Sequence, residues 1–73
     1  MKYELGDKVA TTRVVMDSKR ELKLIDKDTE GVIIVIDETA KTCQPYLVEF
    51  EKTIIEGCGK RWWVFEEEIT GVN

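Results

Sequence analysis

The sequence contains no histidine, and this absence removes the commonest form of acid–base catalysis. Histidine is the side chain that normally exchanges protons near neutral pH. Because the chain has none, no Ser/His or Cys/His nucleophile pair can form. Carboxylates are plentiful, but their densest run, Glu66 to Glu68, is typical of a solvated strand end. The glycines at 57 and 59 lack the Lys-Ser/Thr pair that follows them in a phosphate-binding loop. We therefore predict that the chain is not an enzyme and needs no cofactor.

Cysteine is also scarce, since only Cys43 and Cys58 are present. A structural zinc site usually takes four Cys or His ligands, so we expect no metal. A disulfide needs Cα atoms within about 7 Å. The strand predicted between the two cysteines, at residues 45–52, spans roughly 26 Å. We expect two free thiols, with Cys58 the more exposed because it lies between glycines in a turn.

Long apolar runs are missing. The longest run is Val32 to Ile36, far below the ~20 residues of a membrane span. Residues 1–30 contain nothing like the apolar region of a signal peptide. These observations predict a cytoplasmic protein with no membrane partner and with reduced thiols.

The composition predicts one small folded domain over residues 1–73. Hydrophobic residues make up 42% of the chain, which argues against disorder even though 36% of residues are charged. The net charge of −4 is unevenly spread: six basic and four acidic residues precede position 26, whereas five basic and eleven acidic residues follow. An acidic chain gains no counterion-release free energy on phosphates, so nucleic-acid binding is disfavoured. A local basic patch at Lys19, Arg20 and Lys23 leaves it open as an alternative.

Several segments have the composition or the alternation of β-strands. The clearest is residues 45–52, where Tyr46, Val48 and Phe50 fall on one face at a spacing of two. The other predicted strands are residues 8–16, rich in valine and threonine; residues 31–37, almost wholly β-branched; residues 61–66; and a short fragment within 67–70 whose core residue is Ile69.

Residues 17–30 lie between the first two predicted strands and carry dense charges of both signs. Leu22 and Ile25 have the spacing of a helical turn, but the pattern is too short for a helix. We predict a long, partly ordered loop, a kind of segment that is often functional. Short antiparallel strands that follow one another bury their apolar face by curling, so we predict an all-β chain folded as a small barrel.

Short motifs follow one another along nearly the whole chain: Gly-Asp-Lys-Val at 6–9, Thr-Glu-Gly-Val-Ile at 29–33, Tyr-Leu-Val-Glu-Phe at 46–50, and Trp-Trp-Val at 62–64 leading to Glu-Glu-Glu-Ile at 66–69. Their order resembles the small SH3-like barrel proteins of phages, prophages and mobile elements of Gram-positive bacteria. It is more distantly similar to KOW-type and Mind-bomb-type SH3-like modules. The resemblance implies a five-stranded SH3-like barrel with a long first loop and no shared catalytic site.

The tryptophan pair is the main lead to a binding site. Trp62 and Trp63 are neighbours in one predicted strand, so one points into the core and the other points outward. An exposed Trp beside Arg61 has the composition of a binding hot spot. The alternative is that the outer Trp packs under the long loop. Tyr46 is a similar case, since its inward position with Val48 and Phe50 favours the core. The candidate partner-binding residues are Trp62, Trp63, Arg61, Tyr46, Lys19, Arg20 and Lys23.

The resulting hypothesis is a non-catalytic protein-interaction module, encoded by a phage or mobile element, that binds a host or phage protein. The −6 charge of residues 26–73 suggests an inhibitor that occupies a basic, nucleic-acid-binding surface on its partner. One alternative is a nucleic-acid-binding KOW-like barrel. Another is a structural homo-oligomer formed through an open barrel edge. The expected state is a monomer or a weak homo-oligomer.

Overall fold

A computed structural model describes residues 2–17, 21–39 and 44–72, and these residues form an all-β structure. In the described residues no helix is long and apolar enough to cross a membrane. One short 3₁₀ turn, Glu66–Glu68, precedes the last strand. The strands in chain order are β1 (Lys8–Thr11), β2 (Val15–Asp17), β3 (Leu22–Ile25), β4 (Glu30–Ile36), β5 (Tyr46–Phe50), β6 (Arg61–Val64) and β7 (Ile69–Gly71).

Five of the strands form one antiparallel sheet in the order β6-β5-β4-β1-β7. Four of them lie within a few residues of strands that the sequence pattern predicts, but the strand predicted at residues 8–16 is divided into β1 and β2, with residues 12–14 between them. β4 is the central strand, because its first half pairs with β1 while its whole length pairs with β5. The register with β5 shifts at a bulge between Ile33 and Val35, which lets β4 bend between its two partners.

The inward face of this sheet carries the hydrophobic core. Tyr46, Val48 and Phe50 of β5 are all buried, as their spacing of two predicts. Ile69 is also buried, which confirms its expected place in the core. The remaining buried apolar side chains come from β1, β2, β3, β4 and β6 and from the start of the chain. They are Tyr3, Val9, Val15, Leu24, Ile25, Ile33 and Val64.

The prediction of a long loop over residues 17–30 is wrong. β2 and β3 form an antiparallel hairpin in which Val15 lies opposite Ile25, with a bulge before Met16. Leu24 and Ile25 are buried in the core, so they mark a strand rather than a helical turn. Residues 18–20, at the tip of the hairpin, lie outside the described residues. The charge density of the segment obscured a short strand with three apolar residues, of which Leu24 and Ile25 become buried when the hairpin folds onto the sheet.

Threonine hydroxyls close the base of the hairpin. The Thr11 hydroxyl donates to the Asp26 carbonyl at 2.6 Å and accepts from the Thr29 N–H at 2.9 Å. The Thr29 hydroxyl donates to the same carbonyl at 2.9 Å. Both threonines are buried. Their polar atoms are therefore satisfied without water, and the turn at 26–29 is held against β1.

The run Glu66 to Glu68 is not wholly a solvated strand end, as the charge pattern suggested. Glu68 is only 6% exposed. Its Oε1 accepts from the Phe65 N–H at 2.8 Å, and its Oε2 lies 3.8 Å from the Arg13 Nε. A buried carboxylate needs such partners to offset the loss of water. Glu66 and Glu67 are exposed, so Glu68 is the one buried glutamate of the run.

Glu68→Ala should lower the free energy of unfolding by about 1–3 kcal/mol, because the Phe65 N–H loses its acceptor in a partly buried position. Glu67→Ala is the matched control. It removes an exposed side chain but keeps the carbonyl that accepts from the Thr12 hydroxyl, so its effect should stay within about 0.5 kcal/mol. Urea denaturation of both variants measures the difference, and equal stabilities would contradict a structural role for Glu68.

Gly31→Ala should destabilise the fold by about 1–3 kcal/mol. A Cβ at this position would lie 2.7 Å from a Val48 methyl and 2.9 Å from the Glu49 carbonyl oxygen, so β4 would have to move away from β5. Gly59→Ala is the control, since nothing lies within 4 Å of its added methyl. Thermal unfolding should show a loss for the first variant and none for the second. A Gly31→Ala protein as stable as the parent would show that the two strands can separate without cost.

Candidate functional site

The free edge of β6 is defined by the hydrogen-bond pattern of its pairing with β5. The Phe50 N–H donates to the Lys60 carbonyl at 2.8 Å, and in the same register Val48 faces Trp62. Hydrogen-bonded pairs alternate along an antiparallel ladder. The backbone groups of Trp62 and Val64 therefore bond to β5, whereas those of Arg61 and Trp63 point away from the sheet.

The two tryptophans divide as strand alternation predicts. Trp62 is half-buried and packs against the core, and its Nε1–H donates to the Gly59 carbonyl at 2.6 Å. Trp63 is the exposed one, with 41% of its surface accessible. Trp62 therefore ties β6 to the preceding loop, and Trp63 is free for contact with a partner.

Trp63 belongs to an apolar row on the outward face of the sheet. It lies opposite Leu47, which in turn lies opposite Val35, so the three residues cross β6, β5 and β4 in register. We call Val35, Leu47 and Trp63 the outer row. Val35 is 41% exposed and Leu47 is intermediate. Cross-strand neighbours of this kind contact each other, so the outer row is a continuous apolar strip.

A groove of about 180 Å³ lies between the β2–β3 hairpin and β6. We call it the hairpin groove. On the hairpin side Met16 is 48% exposed, which makes it an accessible apolar wall. Methionine adapts its shape to irregular partners. The residues that line the hairpin groove are Val15, Met16, Asp17, Leu24, Gln44, Trp62 and Trp63.

The charged residues predicted for the site lie beside these surfaces. Arg61 is exposed, and its Nε is 3.8 Å from the Glu49 Oε2 on the adjacent strand. An exposed pair of this kind contributes only about 0–1 kcal/mol, so either side chain can leave the pair for a partner at little cost. Lys23 is exposed and lies opposite Met16 in the hairpin. Lys19 and Arg20 lie outside the described residues.

The assignment of Tyr46 as a partner contact is wrong, because its side chain is fully buried. Its hydroxyl accepts from the Tyr3 N–H at 3.3 Å and lies 3.4 Å from the Glu66 Oε1, to which it donates. Its ring packs edge-on against Tyr3, with centroids 5.5 Å apart. The spacing of two that Tyr46 shares with Val48 and Phe50 signalled this core position, and it outweighs the general enrichment of tyrosine at interfaces.

Sequence reasoning missed Met16, Gln44, Val35 and Leu47. Met16 fell within a predicted strand and Leu47 on the polar face of another, so neither carried a separate signal. Met16 and Trp63 line the same groove only because the hairpin folds back toward β6, which brings distant parts of the chain together.

Cys58 is a free thiol of intermediate exposure that packs against the core. Cys43 lies outside the described residues, so the expected difference in exposure between the two stays a prediction.

The chain matches no family model, no curated protein and no solved structure. The similarity to phage SH3-like proteins therefore stays a prediction based on the motifs alone.

Single-tryptophan variants should separate the two environments. Trp62→Phe leaves Trp63 as the only indole, and acrylamide should quench its fluorescence more strongly than that of Trp63→Phe, which leaves the half-buried Trp62. Trp62→Phe should also lower the free energy of unfolding by about 1 kcal/mol, because the bond to the Gly59 carbonyl is lost. Equal quenching of the two variants would contradict the assignment of Trp63 as the exposed residue.

Proposed function

We propose that this chain is a non-catalytic protein-interaction module that binds a basic partner protein through Trp63, Arg61 and the hairpin groove. The observation that carries the proposal is the exposure of Trp63 within a continuous apolar row. An exposed indole beside apolar neighbours offers a large contact area that water solvates poorly. Monomeric proteins rarely expose contiguous apolar patches of more than a few hundred Å², and larger patches mark interaction sites.

The composition of the site supports this reading. Trp and Arg are the residues that most often contribute large binding energies, and they do so when neighbouring contacts exclude water. Trp63 and Arg61 lie two residues apart on the same face of β6, with Leu47 and Glu49 opposite them on β5. The hairpin groove adds a concave surface next to this face. A partner that covers both surfaces would remove Trp63 from water completely.

We further propose that the fold is an SH3-like barrel, of the kind carried by phages and mobile elements. Two features support it. The first strand and the last are neighbours in the sheet, as in a sheet that curls back on itself. A hairpin also lies between the first and second strands of this sheet, where the motif order implies a long first connection. The small barrel is a frequent host for binding sites on its loops and edges.

The net charge of the chain favours a partner with a basic surface. The chain carries −4 overall, and residues 26–73 carry −6, so its field attracts a basic surface and speeds association with it. A protein whose basic surface binds nucleic acid is a partner of this class. Covering that surface would inhibit the partner, which is the activity we assign to the module.

Trp63→Ala should abolish capture of the partner from a Gram-positive bacterial lysate by the tagged full-length chain. Ile54→Ala is the matched control, because Ile54 is 47% exposed yet lines neither the outer row nor the hairpin groove. Proteins retained by Ile54→Ala and lost by Trp63→Ala would be identified by mass spectrometry, with and without nuclease. Association of the recovered protein should slow as salt is raised, because the attraction between opposite net charges is screened.

Other outcomes would replace the proposal. Capture that disappears after nuclease treatment would indicate nucleic-acid binding through the basic residues at 19–23. Equal capture by both variants would move the interface away from Trp63. A concentration-dependent oligomer in sedimentation, with nothing captured, would indicate a structural role.

A further inference from the structure

The two edges of the five-stranded sheet differ in how far the rest of the chain covers them. At the β7 edge, the Tyr3 hydroxyl donates to the Ile69 carbonyl at 3.2 Å, and the Tyr3 ring lies close to Gly71. At the β6 edge, the outward backbone groups belong to Arg61 and Trp63, and within the described residues they have no hydrogen-bond partner. An unpaired edge is a template for one more strand.

This edge coincides with the surface assigned to binding. A strand added beside Arg61 and Trp63 would place alternate side chains on the two faces of the sheet. Those opposite Trp62 would enter the hairpin groove toward Met16. Those opposite Trp63 would extend the outer row. Backbone pairing would supply affinity and the alternating side chains specificity, as in other cases where a peptide adds to a sheet.

Resting on the proposed function, we propose that the partner binds by inserting one extended, basic segment beside β6, so that it becomes the sixth strand of the sheet. The edge itself carries the exposed Lys60 and Arg61, so the occupant is inferred from the net charge of −4 and from the acidic groups around the edge. Asp17 lines the hairpin groove, and the exposed Glu66 and Glu67 follow the end of β6. A second copy of this chain would bring its own charge of −4 to the same edge and be repelled.

The pairing pattern also determines which amides of the segment take part. In an antiparallel arrangement, the residues opposite Arg61 and Trp63 exchange both backbone bonds with them, while the amides between point away. A suitable probe is the capped peptide acetyl-Lys-Val-Lys-Val-Thr-Val-amide. Its valines would face the hairpin groove, its third residue would lie opposite Trp63, and its fifth would lie opposite Arg61. Its lysine-rich end would lie nearest Glu66.

The test uses the full chain and N-methylated forms of this peptide, followed by NMR. Methylation of the third and fifth amides should weaken binding at least about tenfold, because two hydrogen bonds to the edge are lost. Methylation of the second and fourth amides adds the same bulk on the opposite side and should change affinity by less than about threefold. The N–H groups of Arg61 and Trp63 should exchange quickly without peptide and become protected when it binds, whereas those of Trp62 and Val64 should be protected throughout.

Several results would overturn strand addition. Equal weakening by both methylation patterns, or binding without protection at Arg61 and Trp63, would show that side chains alone are recognised. No binding up to millimolar peptide would also reject it. Protection that rises with protein concentration alone would make a second copy the occupant. In each case the lysate experiment with Trp63→Ala still decides the proposed function, since it depends on the Trp63 side chain and not on backbone pairing.

Discussion

The close approach of β4 to β5 at Gly31 is the constraint on which the rest of the fold depends. Gly31 lies opposite Phe50 and Val9 at once, so the two halves of the sheet meet at this residue. A side chain there would collide with Val48 and with the backbone of Glu49. Because Gly31 has none, Val48 and Phe50 can pack closely against β4 and enter the core. The bulge between Ile33 and Val35 then lets β4 bend between its two partner strands.

A core this small requires its buried polar groups to be fully bonded. A chain of this size buries only about 60% of its unfolded surface, so one unsatisfied group would remove much of the stability margin. Within the described residues no buried side-chain nitrogen or oxygen lacks a partner. Thr11, Thr29 and Glu68 achieve this through backbone groups of turns. The threonine bonds also hold the hairpin against β1, so the requirement for satisfied hydrogen bonds also positions the wall of the hairpin groove.

The candidate site lies where the fold leaves an apolar side chain and backbone hydrogen-bonding groups uncovered. Trp62 is held by the core and by Gly59, and Tyr3 covers the opposite edge of the sheet. Trp63 and the outward backbone of β6 have no equivalent cover in the described structure. The Glu49–Arg61 pair contributes little because both side chains are exposed, so it does not close the edge. Apolar area and unpaired backbone groups therefore coincide at one place, next to a concave surface.

Local sequence determined the strands whose residue pattern is unambiguous. The spacing of Tyr46, Val48 and Phe50 identified the inward face of β5, and the adjacency of Trp62 and Trp63 required that they diverge. These properties follow from strand alternation, which needs no knowledge of the partner strands. The absence of histidine likewise limits the available chemistry through composition alone, whatever the fold.

Tertiary structure decided the burial of residues whose neighbours in the sequence predict exposure. Leu24 and Ile25 lie in a highly charged segment, yet they are buried because the hairpin packs on the sheet. Glu68 belongs to a glutamate run, yet it is buried because Arg13 and the Phe65 N–H meet it there. Which tryptophan is exposed, and that Met16 stands across a groove from it, depend on contacts between residues far apart in the chain. Such contacts leave no periodic signal, because each is set by how two separate elements pack.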